Sequence, residues 1–165
     1  MYVVQVHTGR GQPFVVHHLQ NVEDVIENAR LLGEGWKSLS DSTSARCDVS
    51  WIDFLNRVMR IAIAGDEFGA VMVFKSKNEK PLGFMVIFDD SEGKDRRSAF
   101  IYAGYSNGKY ADAPVASMTY VQDWARQHGF TALRTQTRRI NGAAMRLFRK
   151  KLGFRPLAMI FEKTL

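Results

Sequence analysis

Hydrophobic and polar positions change period several times along the chain, and each change marks a new element. Apolar residues at helical spacing predict two N-terminal helices, Asn21–Leu32 and Trp51–Ala64. Gly33 and Gly35 are expected to end the first helix, because glycine is favoured just beyond a helix C-terminus. The polar segment 34–49 is therefore predicted to be a loop.

Extended patterns bounded by turn residues predict the strands. They cover Met1–His7, Phe14–His17, Gly69–Lys75, Leu82–Phe88, Ser98–Ala103, Thr131–Thr137 and Arg155–Lys163. Two further helices are predicted over Asp112–His128, where Pro114 suits the first turn, and over Gly142–Leu152, which Asn141 caps. This order of elements predicts an α/β (α+β) fold with a mixed sheet and helices on both faces.

Length and composition narrow the class of protein. The 165 residues fit a single domain over 1–165, and no run approaches the roughly 18 apolar residues of a membrane span. Met1–Gln5 lacks the basic stretch and long apolar run of a signal peptide. Cys47 is the only cysteine, so no internal disulfide can form and we expect a reducing, cytoplasmic setting.

The net charge of +6 is unevenly distributed. Residues 109–165 hold 11 Lys/Arg and 3 Asp/Glu, so the rest of the chain is slightly acidic. A basic segment of this kind attracts anions. It indicates a phosphate-rich cofactor, a nucleic acid or a solvated basic face.

Several short motifs in the second half of the chain form a familiar series. They are Pro81-Leu-Gly83, Trp124-Ala-Arg-Gln-His-Gly129, Leu133-Arg-Thr-Gln-Thr137, Asn141-Gly-Ala-Ala144 and Leu147-Phe-Arg-Lys-Lys-Leu-Gly-Phe-Arg-Pro156. Together they resemble the GNAT family of coenzyme-A-dependent N-acetyltransferases, over about Gly69–Leu165. The resemblance implies a mostly antiparallel sheet in which the parallel strands Ser98–Ala103 and Thr131–Thr137 splay into a wedge for the cofactor.

The resemblance also implies acetyl-CoA or another acyl-CoA as cofactor. Its pyrophosphate would sit at the helix start near Lys109–Val115, since a helix N-terminus offers unpaired N–H donors. The segment lacks the family's usual glycines after Gly108, and Pro114 removes one donor. The cofactor-binding residues implied are Ala103, Gly104, Tyr105, Lys109, Tyr110, Ala111, Asp112, Ala113, Val115, Asn141 and Phe148.

Catalytic groups are less clearly marked. In many GNAT enzymes a tyrosine of the last helix protonates the departing thiolate, and here Phe148, which cannot donate a proton, takes that place. Tyr102 and Tyr105 are candidate catalytic residues, with Asp66 and Glu67 as further possible bases. No metal site is expected, because the N-terminal histidines lack suitable ligand spacing. These histidines are His7, His17 and His18.

Three functions stay open on the sequence. The first is N-acetyl transfer from acetyl-CoA to a small-molecule or protein amine; the acidic Glu34, Asp41, Asp48 and Asp53 would draw a cationic acceptor. The second is a non-catalytic GNAT-like binding or assembly domain. The third is a nucleic-acid-binding module that uses the basic C-terminal third.

Overall fold

The computed structural model describes residues 2–6, 14–41, 49–91, 97–108, 113–136 and 146–156. The strands are β1 (Tyr2–Val6), β2 (Phe14–Leu19), β3 (Gly69–Ser76), β4 (Pro81–Asp89), β5 (Ser98–Ser106) and β6 (Ala132–Thr135). The helices are α1 (Val22–Glu27), α2 (Ala29–Asp41), α3 (Trp51–Ala64) and α4 (Ala113–Gln127), followed by a π-helical turn over Leu147–Lys151. No helix in these ranges combines the length and the apolar character needed to cross a membrane.

The six strands form one sheet in chain order, from β1 to β6. Neighbouring strands are antiparallel from β1 to β5, whereas β5 and β6 are parallel. Helix α4 lies between these two parallel strands in sequence, as a parallel connection requires. The predicted mixed, mostly antiparallel sheet is confirmed.

Helices cover both faces of the sheet. Side chains alternate along each strand, so one strand contributes to the core on each face. Met72 of β3 belongs to a buried cluster with Met118 of α4. Its neighbours Val71 and Val73 belong to a second cluster with Val58 of α3. The sheet therefore separates an α4-side core from a core on the side of α1, α2 and α3, which we call the α3-side core.

The first predicted helix is in fact two helices. Helix α1 ends at Glu27, and Asn28 turns the chain by donating its side-chain N–H to the carbonyl of Asp24 at 2.8 Å. Helix α2 then continues through Gly33 and Gly35 to Asp41. The prediction of a loop from residue 34 is therefore wrong as far as residue 41.

Packing explains why α2 passes through its glycines. A Cβ added to Gly35 would lie 2.2 Å from the ring of Phe84 and 2.9 Å from Cβ of Tyr105. Glycine thus allows the helix backbone to rest directly on β4 and β5. The next residue, Trp36, donates its indole N–H to the carbonyl of Val49 at 3.2 Å. These tertiary contacts outweigh the helix-propensity cost of a glycine, which is about 1 kcal/mol.

The C-terminal predictions are only partly covered by the described residues. The predicted helix Gly142–Leu152 is described from Arg146 onward, and its last turn is π-helical, with the N–H of Leu152 donating to the carbonyl of Leu147 at 3.0 Å. Asn141 lies outside the described residues. The predicted strand Arg155–Lys163 also lies outside them beyond Pro156.

Candidate active site

The parallel strands β5 and β6 are paired over only part of their length. Ser98 to Ile101 of β5 align with Ala132 to Thr135 of β6. Strand β5 runs on to Ser106, held on its other side by β4, and the N–H of Asn107 donates to the carbonyl of Leu82 at 2.9 Å. Within the described part of the chain, no strand pairs with the β6 side of β5 beyond Ile101. Among the described residues, the edge of β5 is therefore unpaired from Tyr102 onward, and we call the place where β6 ends the opening.

A β-bulge marks the point where β5 leaves β6. In β4, Val86 aligns with Ala103 and the next residue, Ile87, aligns with Ile101, so Tyr102 is the extra residue. Ile101 contributes to the α4-side core, whereas both Tyr102 and Ala103 belong with the α3-side core. The bulge thus shifts the alternation of side chains by one residue.

Tyr102–Ser106, which we call the open half of β5, lie beyond the pairing with β6. The shift determines which of their side chains point toward the α4-side core and which toward the α3-side core. Tyr105 packs with the α3-side core, so the alternation turns Gly104 and Ser106 toward the α4 side. A Cβ on Gly104 would lie 2.9 Å from Sδ of Met85, in the α4-side layer. The open half therefore presents small residues toward α4 and tyrosines toward α2 and α3.

The open half of β5 also contains a polar atom that lacks a partner. The hydroxyl oxygen of Ser106 is buried and makes no hydrogen bond within the described residues. A buried polar group of this kind is rare in a folded protein and calls for a water, an ion or a ligand as its partner. The pantetheine arm of coenzyme A is narrow and carries amide groups. In the described part of the chain, the unpaired edge of β5, Gly104 and the Ser106 hydroxyl are the features that such an arm would meet.

Helix α4 starts shortly after β5 ends. Its first turn contains Ala113, Pro114 and Val115, all half-buried, and the hydroxyl of Ser117 donates to the carbonyl of Pro114 at 3.1 Å. The N–H groups of a first turn have no helical acceptor and favour a phosphate. The predicted phosphate residues Lys109, Tyr110, Ala111 and Asp112 lie outside the described residues.

Solved structures of acetyltransferases share this architecture. A possible acetyltransferase from Clostridium difficile 630 superposes with a TM-score of 0.67 at 10% identity, over 92% of this chain and 97% of that one. Aminoglycoside N-acetyltransferase AAC(6')-Iy, solved in complex with CoA, gives 0.62 at 15% identity over 96% and 99%. Glucosamine-6-phosphate N-acetyltransferase from Arabidopsis thaliana gives 0.60 at 13% identity over 92% and 97%. The fold is that of the GNAT N-acetyltransferases.

The similarity lies in structure alone. No family model matches the sequence, and no curated protein matches it. At identities of 10 to 18% the structural neighbours establish the GNAT fold of the chain. Its chemistry depends on its own residues.

The two candidate catalytic tyrosines are brought to the α3 side of the opening in the GNAT fold. The ring of Tyr102 stacks on Phe54, with centroids 5.9 Å apart, and the guanidinium of Arg57 lies 4.7 Å from its centroid. Tyr105 packs against Phe84 at 5.9 Å. Both rings are half-buried and are fixed by α2, α3 and β4.

The carboxylates considered as alternative bases lie elsewhere. Asp66 and Glu67 precede Gly69, which aligns with Phe88 near the end of β4, whereas the open half of β5 aligns with the start of β4. Asp66 instead approaches Nδ1 of His18 at 3.6 Å. The position of both carboxylates at the other end of the sheet removes them as bases for this site.

Phe148 occupies the π-helical turn. Its half-buried ring meets the ring of Phe154 edge-on, at 5.8 Å and 80°, and its carbonyl accepts the N–H of Phe154 at 2.9 Å. Leu152 and Phe154 pack against the α4-side core, so the turn is attached to the same layer as α4.

Three residues near the candidate site are not marked by the sequence. Ser106 lies beyond the predicted end of its strand at Ala103. Gly35 was interpreted as a helix terminator, although it places α2 against Tyr105. Arg57 is one of many arginines, and no motif marks it. The spacing of Phe54 and Arg57 on one helical face was the available signal.

Proposed function

We propose that the chain is an acyl-CoA-dependent N-acyltransferase that moves an acetyl group from acetyl-CoA to an amine. The observation that carries this proposal is the opening between β5 and β6, which begins at the bulge of Tyr102. The GNAT fold and the CoA-bound neighbour support it. The single Cys47 supports the cytoplasm as its compartment.

The residues assigned to the cofactor fall into two groups. The backbone of Ala103, Gly104 and Tyr105 would hold the arm along the open edge of β5, with the Ser106 hydroxyl as an added partner. The first turn of α4, with Ala113 and Val115, would hold phosphate together with Lys109, Tyr110, Ala111 and Asp112. Asn141 and Phe148 complete the set that the GNAT pattern assigns to the cofactor. A bound acyl-CoA would supply an activated thioester.

The protein's own residues would then orient the amine and remove its proton. Tyr102 and Tyr105 carry phenol groups on the acceptor side of the opening, so we assign that proton to them or to water bound between them. Phe148 cannot donate a proton to the leaving sulfur. A thiol has an ordinary pKa of about 8.5, so its thiolate can leave without a protein acid.

A non-catalytic coenzyme A-binding domain is the second candidate, because Phe148 replaces the usual acid. Binding without turnover over a panel of amines would favour it. Release of free CoA in the presence of an amine would exclude it.

Thermal unfolding with acetyl-CoA tests the proposal. A ligand that binds only the folded state raises the melting temperature by mass action. Gly104→Val should abolish the rise, because its side chain fills the opening, while its Cβ meets only the flexible end of Met85. Thr119→Val, on an exposed position of α4, is the matched control and should retain the rise. No rise at millimolar acetyl-CoA in the wild type would overturn the proposal.

A further inference from the structure

Arg57 lies on the α3 side of the bulge, where the opening between β5 and β6 begins. Its guanidinium carbon is 4.7 Å from the centroid of the Tyr102 ring. That ring is stacked on Phe54 of the same helix at 5.9 Å. The opening is narrow at the bulge, where β5 and β6 separate, and wide near the end of β5. A pantetheine arm that enters from the wide end would have its thioester near the bulge. Arg57 therefore lies on the side from which an acceptor would approach the thioester.

No carboxylate in the described ranges forms an ion pair with Arg57. Asp53 lies one helical turn earlier, at the spacing of a helix ion pair, but its carboxylate accepts the hydroxyl of Ser50 at 2.7 Å. Other arginines do pair with carboxylates within 3.4 Å. They are Arg30 with Glu34, Arg97 with Asp89, Arg126 with Asp123 and Arg134 with Asp90. Arg57 is instead held by an aromatic ring.

This arrangement fixes the cation and leaves its donors for an oxygen ligand. The ring attracts the guanidinium but offers no oxygen along its face, and it limits the motion of a long side chain. A guanidinium carries five N–H donors in a fork that matches a carboxylate or a phosphate. The position is exposed, so an anion can reach it.

We infer that Arg57 recognises an anionic group of the acceptor, a carboxylate or a phosphate carried by the amine that is acylated. This inference rests on the proposed function and names its substrate class. The acidic residues that predict a cationic acceptor are compatible with this inference, because the amine of such an acceptor carries the positive charge. Glu34 is paired with Arg30, Asp53 accepts a hydrogen bond from the neutral Ser50 and keeps its charge, and the side chains of Asp41 and Asp48 lie outside the described part of the chain. A zwitterionic or phosphorylated amine satisfies both the reaction and Arg57.

Pairs of amines that differ by one anionic group test the inference. Tyramine is compared with tyrosine for the carboxylate, and ethanolamine with O-phosphoethanolamine for the phosphate. Turnover is measured as CoA release, and binding to the CoA-saturated protein by calorimetry. The wild type should prefer the anionic member of at least one pair by about 10- to 100-fold, the range of a charge-assisted hydrogen bond. The two pairs distinguish carboxylate from phosphate.

Variants then assign the preference to Arg57. Arg57→Ala should remove the preference in both turnover and binding, and Arg57→Lys should restore part of it, because lysine keeps the charge without the fork. Arg60→Ala removes the same charge from an exposed position one turn later and should change the preference a few-fold at most. The rise in melting temperature with CoA should be the same in all variants.

Two results would overturn the inference while leaving the proposed function intact. One is a wild type that shows no preference within either pair. The other is a preference that survives Arg57→Ala. Absence of any thermal shift with CoA in the wild type would overturn the proposed function, and this inference with it.

Discussion

His18 of β2 and Tyr120 of α4 are joined across the α4-side core, with imidazole Nε2 2.8 Å from the phenol oxygen. The carboxylate of Asp66 lies 3.6 Å from Nδ1 of the same ring. His18 is only 1% exposed, and burial lowers the pKa of its imidazole to about 4 in spite of Asp66. Burial likewise raises the pKa of Tyr120 to about 12. At neutral pH these two groups are therefore uncharged in the folded protein.

Acid should weaken the fold through His18. Its ordinary pKa is 6.5, so between about pH 6.5 and 4 the unfolded chain binds a proton that the folded protein excludes. The free energy of unfolding should fall across this window, by at most about 1.4 kcal/mol per pH unit for one such group. Urea unfolding of the wild type and of His18→Gln from pH 7.5 to 4.5 measures this, and the variant should give a flatter dependence.

His17→Gln is the matched control for that experiment. Burial, helped by the charge of Lys75, also lowers the pKa of His17, but Glu79 at 3.3 Å opposes the shift. The control should therefore flatten the curve less than His18→Gln does. Identical pH dependence in the wild type and His18→Gln would show that the proton uptake occurs elsewhere.

The two glycines of α2 should respond oppositely to alanine. A Cβ on Gly35 would overlap the ring of Phe84, so Gly35→Ala should cost about 1–3 kcal/mol through overpacking. A Cβ on Gly33 would meet only the ring of Trp51 at an ordinary 3.8 Å, so Gly33→Ala should stabilise the protein by up to about 1 kcal/mol. Chemical denaturation measures both changes. A stabilised Gly35→Ala would contradict the close approach of α2 to β4.

These glycines show where sequence reasoning about the fold succeeded and where it failed. Apolar periodicity located α3 and α4, which each bury one face, and the continuous apolar runs located the central strands, which are buried on both faces. It failed for α2, because the sequence alone does not distinguish a glycine that ends a helix from one that lets a helix pack closely against a sheet. The difference lies in Phe84 and Tyr105, some 50 to 70 residues away along the chain, which no local pattern can reveal.

The same limit applies to the site. The motifs predicted the parallel pair of strands and the helix between them, and so the general place of the opening. The bulge depends on the register between Val86 and Ile87 of β4 and their partners in β5, and a register of that kind is a tertiary property. The bulge determines that the side chain of Tyr102 points toward Arg57 and that the side chain of Ser106 points toward the α4 side.

The exposed cations around the π-helical turn permit a test of nucleic-acid binding. Arg146, Arg149, Lys150, Lys151 and Arg155 are all exposed, and residues 146–156 contain no Asp or Glu. If this surface binds a polyanion, RNA or DNA should bind at low salt with an affinity that falls steeply as salt is added. Replacing Arg146, Arg149 and Lys150 with alanine should weaken binding and leave the fold intact, at under about 0.5 kcal/mol for each. Failure of the wild type to bind either polymer would exclude this function.

Phe148→Tyr tests whether an added acid improves turnover. The ring of Phe148 is half-buried against Phe154, so we expect a new hydroxyl to reach water and the free energy of unfolding to change by under about 1 kcal/mol. General acid catalysis contributes about 10²- to 10⁴-fold where it is used. CoA release with an accepted amine should therefore rise if sulfur protonation limits the rate.

The matched control for this substitution is Phe154→Tyr. It adds the same hydroxyl to the other half-buried ring of the pair and should not raise turnover. Equal turnover in the wild type, Phe148→Tyr and Phe154→Tyr would mean that the thiolate leaves without help, as its low basicity allows. A decrease of about 1–3 kcal/mol in the free energy of unfolding of Phe148→Tyr alone would show that the new hydroxyl is buried without a hydrogen-bond partner, away from solvent and cofactor. CoA binding without turnover in all three proteins would favour the non-catalytic domain.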